Sequence, residues 1–241
     1  MTATPLPEAP ATDDRLDADG RQVLARELIR PIIWGGIMFL AAGRLDWLAG
    51  WLMLGLSYAV LIPALTYLAR HNPAVLKARR RMGPGTEPFD KVFFALWIPS
   101  GLGLMVLSAL DAGRFGWSQM PLGLQALGAI VLVAGMVTIY WSMAVNRHFE
   151  VSVRLQSDRD HQVCRDGPYR FVRHPGYTGA LLGNFAMPLL LGSWWGLLPA
   201  LGITVLFVVR TVLEERTLMA KLPGYKDYAS QTRFRLVPGV W

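Results

Sequence analysis

Charge is scarce in this chain. Only 17% of its 241 residues are Asp, Glu, Lys or Arg, against about 25% in soluble domains. Cysteine is almost absent, and the single Cys164 excludes an internal disulfide and any zinc site built from several thiolates. No P-loop is present, and no Gly-x-Gly-x-x-Gly opens a helix after a strand, which excludes the soluble-type nucleotide folds. The histidines lack His-Glu-x-x-His or any comparable ligand spacing, so no metal site is expected. Residues 1–20 are Pro-, Ala- and Asp-rich with no apolar core. They read as a disordered tail and not as a cleavable signal peptide.

What the chain has instead is hydrophobic residues, 53% of the total and including nine Trp, gathered in long runs. Runs of that length point to a bilayer. Arg21 to Arg30 carries Val23, Leu24 and Leu28 between arginines, the spacing of a short helix lying on a membrane surface. Spans follow at Pro31–Gly43, Trp47–Ala69, Val92–Leu110, Pro121–Val145, Tyr177–Leu191 and Trp194–Leu213. The first is short enough that a re-entrant segment is its alternative. Gly192-Ser193 leaves room only for a tight helical hairpin, with Trp194 and Trp195 at the interface. The expected fold is all-α: a polytopic membrane protein of about six transmembrane helices. Residues 21–145 form the anchor, an interfacial helix and four spans, and residues 146–241 hold the functional half.

Six crossings sort the charge. The tail to Arg30 and the segments Arg70–Lys91, Arg147–Arg173 and Arg210–Arg235 fall on one side and hold 22 of the 24 Lys and Arg residues. Arg44 and Arg114 fall on the other. The positive-inside rule then makes both termini cytoplasmic. The net charge of +7 is a topology signal, with anionic lipid headgroups as its natural partner. Nucleic acid is not needed to explain it, and no obligatory protein partner is evident.

The sizeable polar regions beyond the tail are the loop 146–173 and the segment after Leu213, and the last hairpin returns both to one face. His161, Tyr169, His174 and Tyr177 can therefore converge on Arg210, Glu214 and Glu215. Arg210 and Glu214 are spaced i,i+4 and share a helix face. A surface ion pair is the plain reading; a charge directly after the run Ile203–Val209 also marks a functional site. His174-Pro175 is a helix start, and its free N–H groups favour an anionic group in front of it. His148 and His161 read as solvated loop residues, Cys164 as a packed cysteine without the marks of a lowered-pKa thiol, and Tyr225 and Tyr228 as interface anchors.

Gly167-Pro168-Tyr169, then Arg173-His174-Pro175-Gly176-Tyr177-x-Gly179, a hydrophobic hairpin, Glu214-Glu215 and Pro223-Gly224-Tyr225-x-x-Tyr228 together resemble the isoprenylcysteine carboxyl methyltransferase family. The related membrane phospholipid methyltransferases share much of this pattern. The resemblance covers about Val145 to Trp241. It implies a membrane-embedded methyltransferase with S-adenosyl-L-methionine as cofactor, held by the cytoplasmic loop and the last hairpin. Carried over by position, His174, Pro175, Gly176 and Tyr177 line the cofactor site, with Tyr169 before them. Gln156, His161, Gln162, Val163 and Cys164 are the loop's contacts, and Glu214 and Glu215 share the glutamate roles. Arg210 and Glu214 are the expected catalytic pair, Arg210 facing the acceptor. That acceptor is amphipathic or small and apolar, bearing a carboxylate, an amine or a thiol. Two other readings compete: an NADPH-dependent sterol-type membrane reductase, whose C-terminal region is broadly similar, and a non-enzymatic transporter or scaffold.

Overall fold

The computed structural model describes residues 18–79, 85–156 and 159–241. Most of the expected tail, residues 1–17, lies outside the described residues, and residues 18–20 already belong to the first helix. The elements are α1 (Ala18–Ala42), α2 (Leu48–His71), α3 (Pro73–Ala78), α4 (Pro88–Ser108) with a π-helical turn after it (Ala109–Phe115), α5 (Leu122–Val145), a 3₁₀ turn (Gly167–Arg170), α6 (Pro175–Leu191), α7 (Leu197–Lys221) and α8 (Tyr225–Gln231). Among the described residues there is no strand.

The expected surface helix and first span are one continuous helix. Pro31 sits inside α1, where its missing N–H costs one bond of the ladder without ending it. The 25 residues of α1 reach about 37 Å at about 1.5 Å per residue, and their ends lie at opposite ends of the bundle. Val23 packs with Val75 and Leu76 of α3, while Ala42 packs with Ala109 of the π-helical turn. The last span is also longer than its apolar run. α7 continues through Glu214 and Glu215 to Lys221, so both glutamates stand on a rigid helix, not in a loop.

Among the described residues, four helices are long and apolar enough to cross a membrane: Leu48–His71, Pro88–Phe115, Leu122–Val145 and Leu197–Lys221. The polarity of the molecule is inverted to match. Ile32, Leu40, Leu48, Ile62, Ile130 and Val205 are exposed, whereas Asp90, Asp111, Ser142 and Thr211 are fully buried. Large apolar side chains on the outside fit a lipid solvent.

The seventeen-residue α6 is held in place by close backbone approach to α5. A Cβ placed on Gly135 would stand 2.7 Å from the Gly179 carbonyl oxygen, so both positions need glycine, as in small-residue membrane interfaces. At the far end Asp111 fastens the hairpin. Its Oδ2 accepts from Ser118 Oγ (2.6 Å), Ser193 Oγ (2.5 Å) and the Trp195 N–H (3.3 Å). Gly192, with φ of 86°, makes the tight turn between α6 and α7. This packing carries the N-terminus of α6 and the C-terminal third of α7 to the same end of the bundle, beside loop residues 146–156 and 159–170.

Candidate active site

His174 is the N-cap of α6 and Pro175 its first residue. The chain following α8 fixes that helix start. Arg173 and His174 donate their N–H groups to the carbonyls of Phe234 and Arg235, both at 2.9 Å, and Thr178 Oγ1 donates to the Leu236 carbonyl at 2.7 Å. Held this way, His174 lies between the paired glutamates. Its Nδ1 is 3.7 Å from Glu214 Oε2 and its Nε2 is 3.4 Å from Glu215 Oε1. Its ring stacks on Tyr177 with centroids 5.4 Å apart.

The two glutamates have different surroundings. Glu215 is buried in a cage of donors: Arg173 forks onto both carboxylate oxygens and Arg235 Nε reaches Oε2 at 2.5 Å. Arg173 also donates from Nη1 to the carbonyls of Thr232 and Arg233, binding the C-terminal segment into the same network. Glu214 points into an open cleft, where it accepts a 2.5 Å hydrogen bond from the Tyr177 hydroxyl. The expected Arg210–Glu214 ion pair is not formed. Arg210 instead turns to Asp90 of α4, with Nε 2.8 Å from Oδ1 but out of line for a hydrogen bond. Arg210 Nη2 donates to the Val151 carbonyl at 2.9 Å. The rings of Phe93, Phe94 and Tyr177 surround its guanidinium at 4.3, 5.0 and 4.9 Å.

The loop supplies the facing wall. Gln156, fully buried, is its pivot: Nε2 donates to the His148 carbonyl at 2.7 Å and Oε1 faces His148 Nδ1 at 3.4 Å. The Gln156 backbone N–H points at His161 Nδ1, also at 3.4 Å. These partners hold both rings neutral. His148 carries its proton on Nδ1, since Nε2 accepts from Arg147 Nε, and His161 Nδ1 is an acceptor. Burial and then the adjacent His148 pull His161 down to about 4, and burial lowers His148 as well. Both were expected to be solvated; the contacts with Gln156 bury His148 and leave His161 half-buried. Burial raises the Cys164 thiol, which donates weakly to the Val145 carbonyl, so it is a packed cysteine. Tyr169 is anchored by Asn146 at 3.0 Å and its carbonyl accepts from the Tyr228 hydroxyl at 2.8 Å. Tyr225 and Tyr228, expected as interface anchors, are buried with Tyr169 and Leu222 in one cluster.

These groups enclose a cleft of about 820 Å³, part of it open to solvent. Of the residues expected at the site, Gln156, His161, Gln162, Val163, Cys164, Tyr169, His174, Gly176, Tyr177, Arg210 and Glu214 line it. Pro175 and Glu215 stand behind the wall. Several lining residues were not anticipated, among them Asn146, Arg154, Leu218 and Leu222, and Asp90 was missed as the partner of Arg210. For Asp90 a signal existed: an acidic residue directly ahead of the apolar run that starts at Val92. Leu218 and Leu222 carried none, being indistinguishable from ordinary packing residues.

Comparison with known proteins bears on the same region. Residues 124–226 match the phospholipid methyltransferase family. Over 157 residues the chain is 28% identical to the protein-S-isoprenylcysteine O-methyltransferase of Schizosaccharomyces pombe (strain 972 / ATCC 24843). That match covers 65% of this chain and 60% of the relative, so the chain spans less than two thirds of the relative's length.

Proposed function

We infer from the kinship of this chain with the isoprenylcysteine and phospholipid methyltransferases that it is a membrane-embedded methyltransferase using S-adenosyl-L-methionine. Its acceptor is amphipathic or small and apolar, and is met at the cytoplasmic interface. The observation that carries the reading is one constellation: Tyr177, His174 and Glu214 in mutual contact on a cleft wall, with Arg210 one helical turn away and Gln156 and residues 161–164 opposite.

The cleft fits the cofactor. Glu214 offers an anion to the cationic end of the molecule, and the N-terminus of α6, through the Gly176 N–H, offers a donor to its carboxylate. Val163, Leu218, Leu222 and the rings of Tyr169, Tyr225 and Tyr228 give apolar and aromatic surface for a purine. A Cβ at Gly176 would sit 2.7 Å from the Phe149 ring, which would have to move to admit it.

When bound, S-adenosyl-L-methionine supplies an electrophilic methyl group on a sulfonium, taken by in-line displacement with no covalent enzyme intermediate. The protein's part is positioning and exclusion of water. The Tyr177 hydroxyl fixes the Glu214 carboxylate, and the stacked His174 ring fixes Tyr177. Arg210, clamped by the Val151 carbonyl and three aromatic faces, holds the acceptor head in line. The apolar residues around it, Phe93, Phe94 and Phe207, keep that end dry.

Two measurements test the reading. S-adenosylhomocysteine raises the thermal midpoint of the detergent-solubilised protein, by linkage, while NADPH does not; the reverse result supports the reductase. Arg210→Ala then leaves S-adenosylhomocysteine affinity near wild type and abolishes methyl transfer; survival of activity removes Arg210 from its role.

A further inference from the structure

Asp90 lies outside the segment that matches the phospholipid methyltransferase family, and it is fully buried in the first turn of α4. It touches two other parts of the site. Oδ2 accepts the Val153 N–H at 2.8 Å, and Oδ1 faces Arg210 Nε at 2.8 Å. Arg210 in turn holds the Val151 carbonyl. The loop wall, α4 and α7 therefore meet at one carboxylate.

An arginine in a dry aromatic cage is where an anionic acceptor head would be expected to bind. Here that charge is already matched by a buried carboxylate in contact with it. Arg210 and Asp90 together carry no net formal charge, and Glu214, held by Tyr177, is turned to the cofactor end. A carboxylate head entering there loses its water and meets no uncompensated positive charge. A thiol, or an amine in its neutral, nucleophilic form, has no negative charge to desolvate, and the Arg210 guanidinium serves it as a directional donor.

We propose that Asp90 sets the charge selectivity of the acceptor end: by neutralising Arg210 it makes this pocket select an acceptor head without negative charge, an amine or a thiol, over a carboxylate. The proposal rests on the methyltransferase reading, and its test separates the two. Full-length protein in non-ionic detergent, saturated with S-adenosylhomocysteine, is titrated calorimetrically with dodecanoate, dodecylamine and dodecanethiol. Wild type binds the amine or the thiol more tightly than dodecanoate. Asp90→Asn keeps an acceptor for the Val153 N–H but leaves Arg210 bare. It shifts the ratio toward dodecanoate by about tenfold or more, as one unscreened charge contact predicts. The double variant D90N/R210Q, with neither charge, returns to within about twofold of the wild-type ratio, the margin set by near-additive effects.

Tighter binding of dodecanoate by wild type overturns the proposal, as does an unchanged ratio in Asp90→Asn. A double variant that keeps the dodecanoate preference also overturns it, because the effect would not then come from the charge of Arg210. Should Asp90→Asn fail to fold, the wild-type ratio and the double variant still decide. Absence of any S-adenosylhomocysteine response in wild type removes the methyltransferase reading itself.

Discussion

Adjacent glutamates that look equivalent in the sequence do different work once α7 places them. Glu215 neutralises Arg173 inside the protein, and Glu214 faces the cleft. Glu215→Gln leaves the buried Arg173 short of its counter-charge and is expected to cost about 3–5 kcal/mol, read as a large fall in thermal midpoint of the ligand-free protein. Glu214→Gln keeps an acceptor for Tyr177 and leaves that midpoint nearly unchanged, but weakens S-adenosylhomocysteine binding by about tenfold. The His148–His161 pair sets a pH limit. Both rings titrate lower in the folded chain than the ordinary histidine value of 6.5, His161 at about 4. Protons therefore bind the unfolded chain preferentially, so the stability from these rings is complete above about pH 6.5 and lost as pH falls toward about 4. His161→Gln should flatten the decline of thermal midpoint with acid; a slope equal to wild type would place the titration elsewhere. The motif residues 174–177 and 214–215 were legible because together they form a compact pattern that resembles a known family. Asp90 stood out only as an acid ahead of an apolar run; its pairing was not legible, because Arg210 stands 120 positions along the chain and local pattern carries no trace of such a pair.

Helices α5 and α6 show what decides an element's place. α6 is short and carries Asn184 and Pro188, so hydropathy alone describes it poorly. Its position comes from glycines that admit α5. Gly179→Ala would put a methyl against the Gly135 carbonyl and the Ile139 side chain and is expected to cost about 1–3 kcal/mol by overpacking. The same shift would move His174 and Tyr177, so S-adenosylhomocysteine affinity falls with the thermal midpoint. Gly183→Ala, one turn along and with nothing near its missing Cβ, is the control and should leave both unchanged. The apolar cores of α2, α4 and α5 were readable from hydropathy to within a few residues, because lipid contact acts on every side chain of a span. The limits of α1 and α7 were not. In α1 the charged first turns are continuous with the apolar part, since Arg26 and Arg30 pair with the buried Glu27. In α7 the polar residues after Leu213 stay helical because Arg173 and Tyr177 give them partners.

At the scale of the whole molecule, each end of the bundle is closed by buried polar groups, and the two ends differ. One holds the cleft and most of the basic residues. The other holds Asp111 with its hydroxyl donors, the exposed Arg44–Asp46 pair and the tryptophans of the hairpin turn. We propose that α1 and α6, which run between these two ends, cross with the four apolar helices, and that the excess of Lys and Arg puts the cleft end in the cytoplasm. This orientation is testable without activity. In a Cys164→Ser background, single cysteines replace the exposed Lys226 beside the cleft end and the exposed Asp46 between α1 and α2. In sealed right-side-out membranes an impermeant maleimide should label the Asp46→Cys protein at once and the Lys226→Cys protein only after permeabilisation. Labelling of both from the same side would mean that one of the five long helices between these two positions, α6 being the shortest, does not cross. The charge asymmetry would then have to be explained by five crossings or fewer, and an amphipathic acceptor could no longer be assumed to enter from the cytoplasmic leaflet.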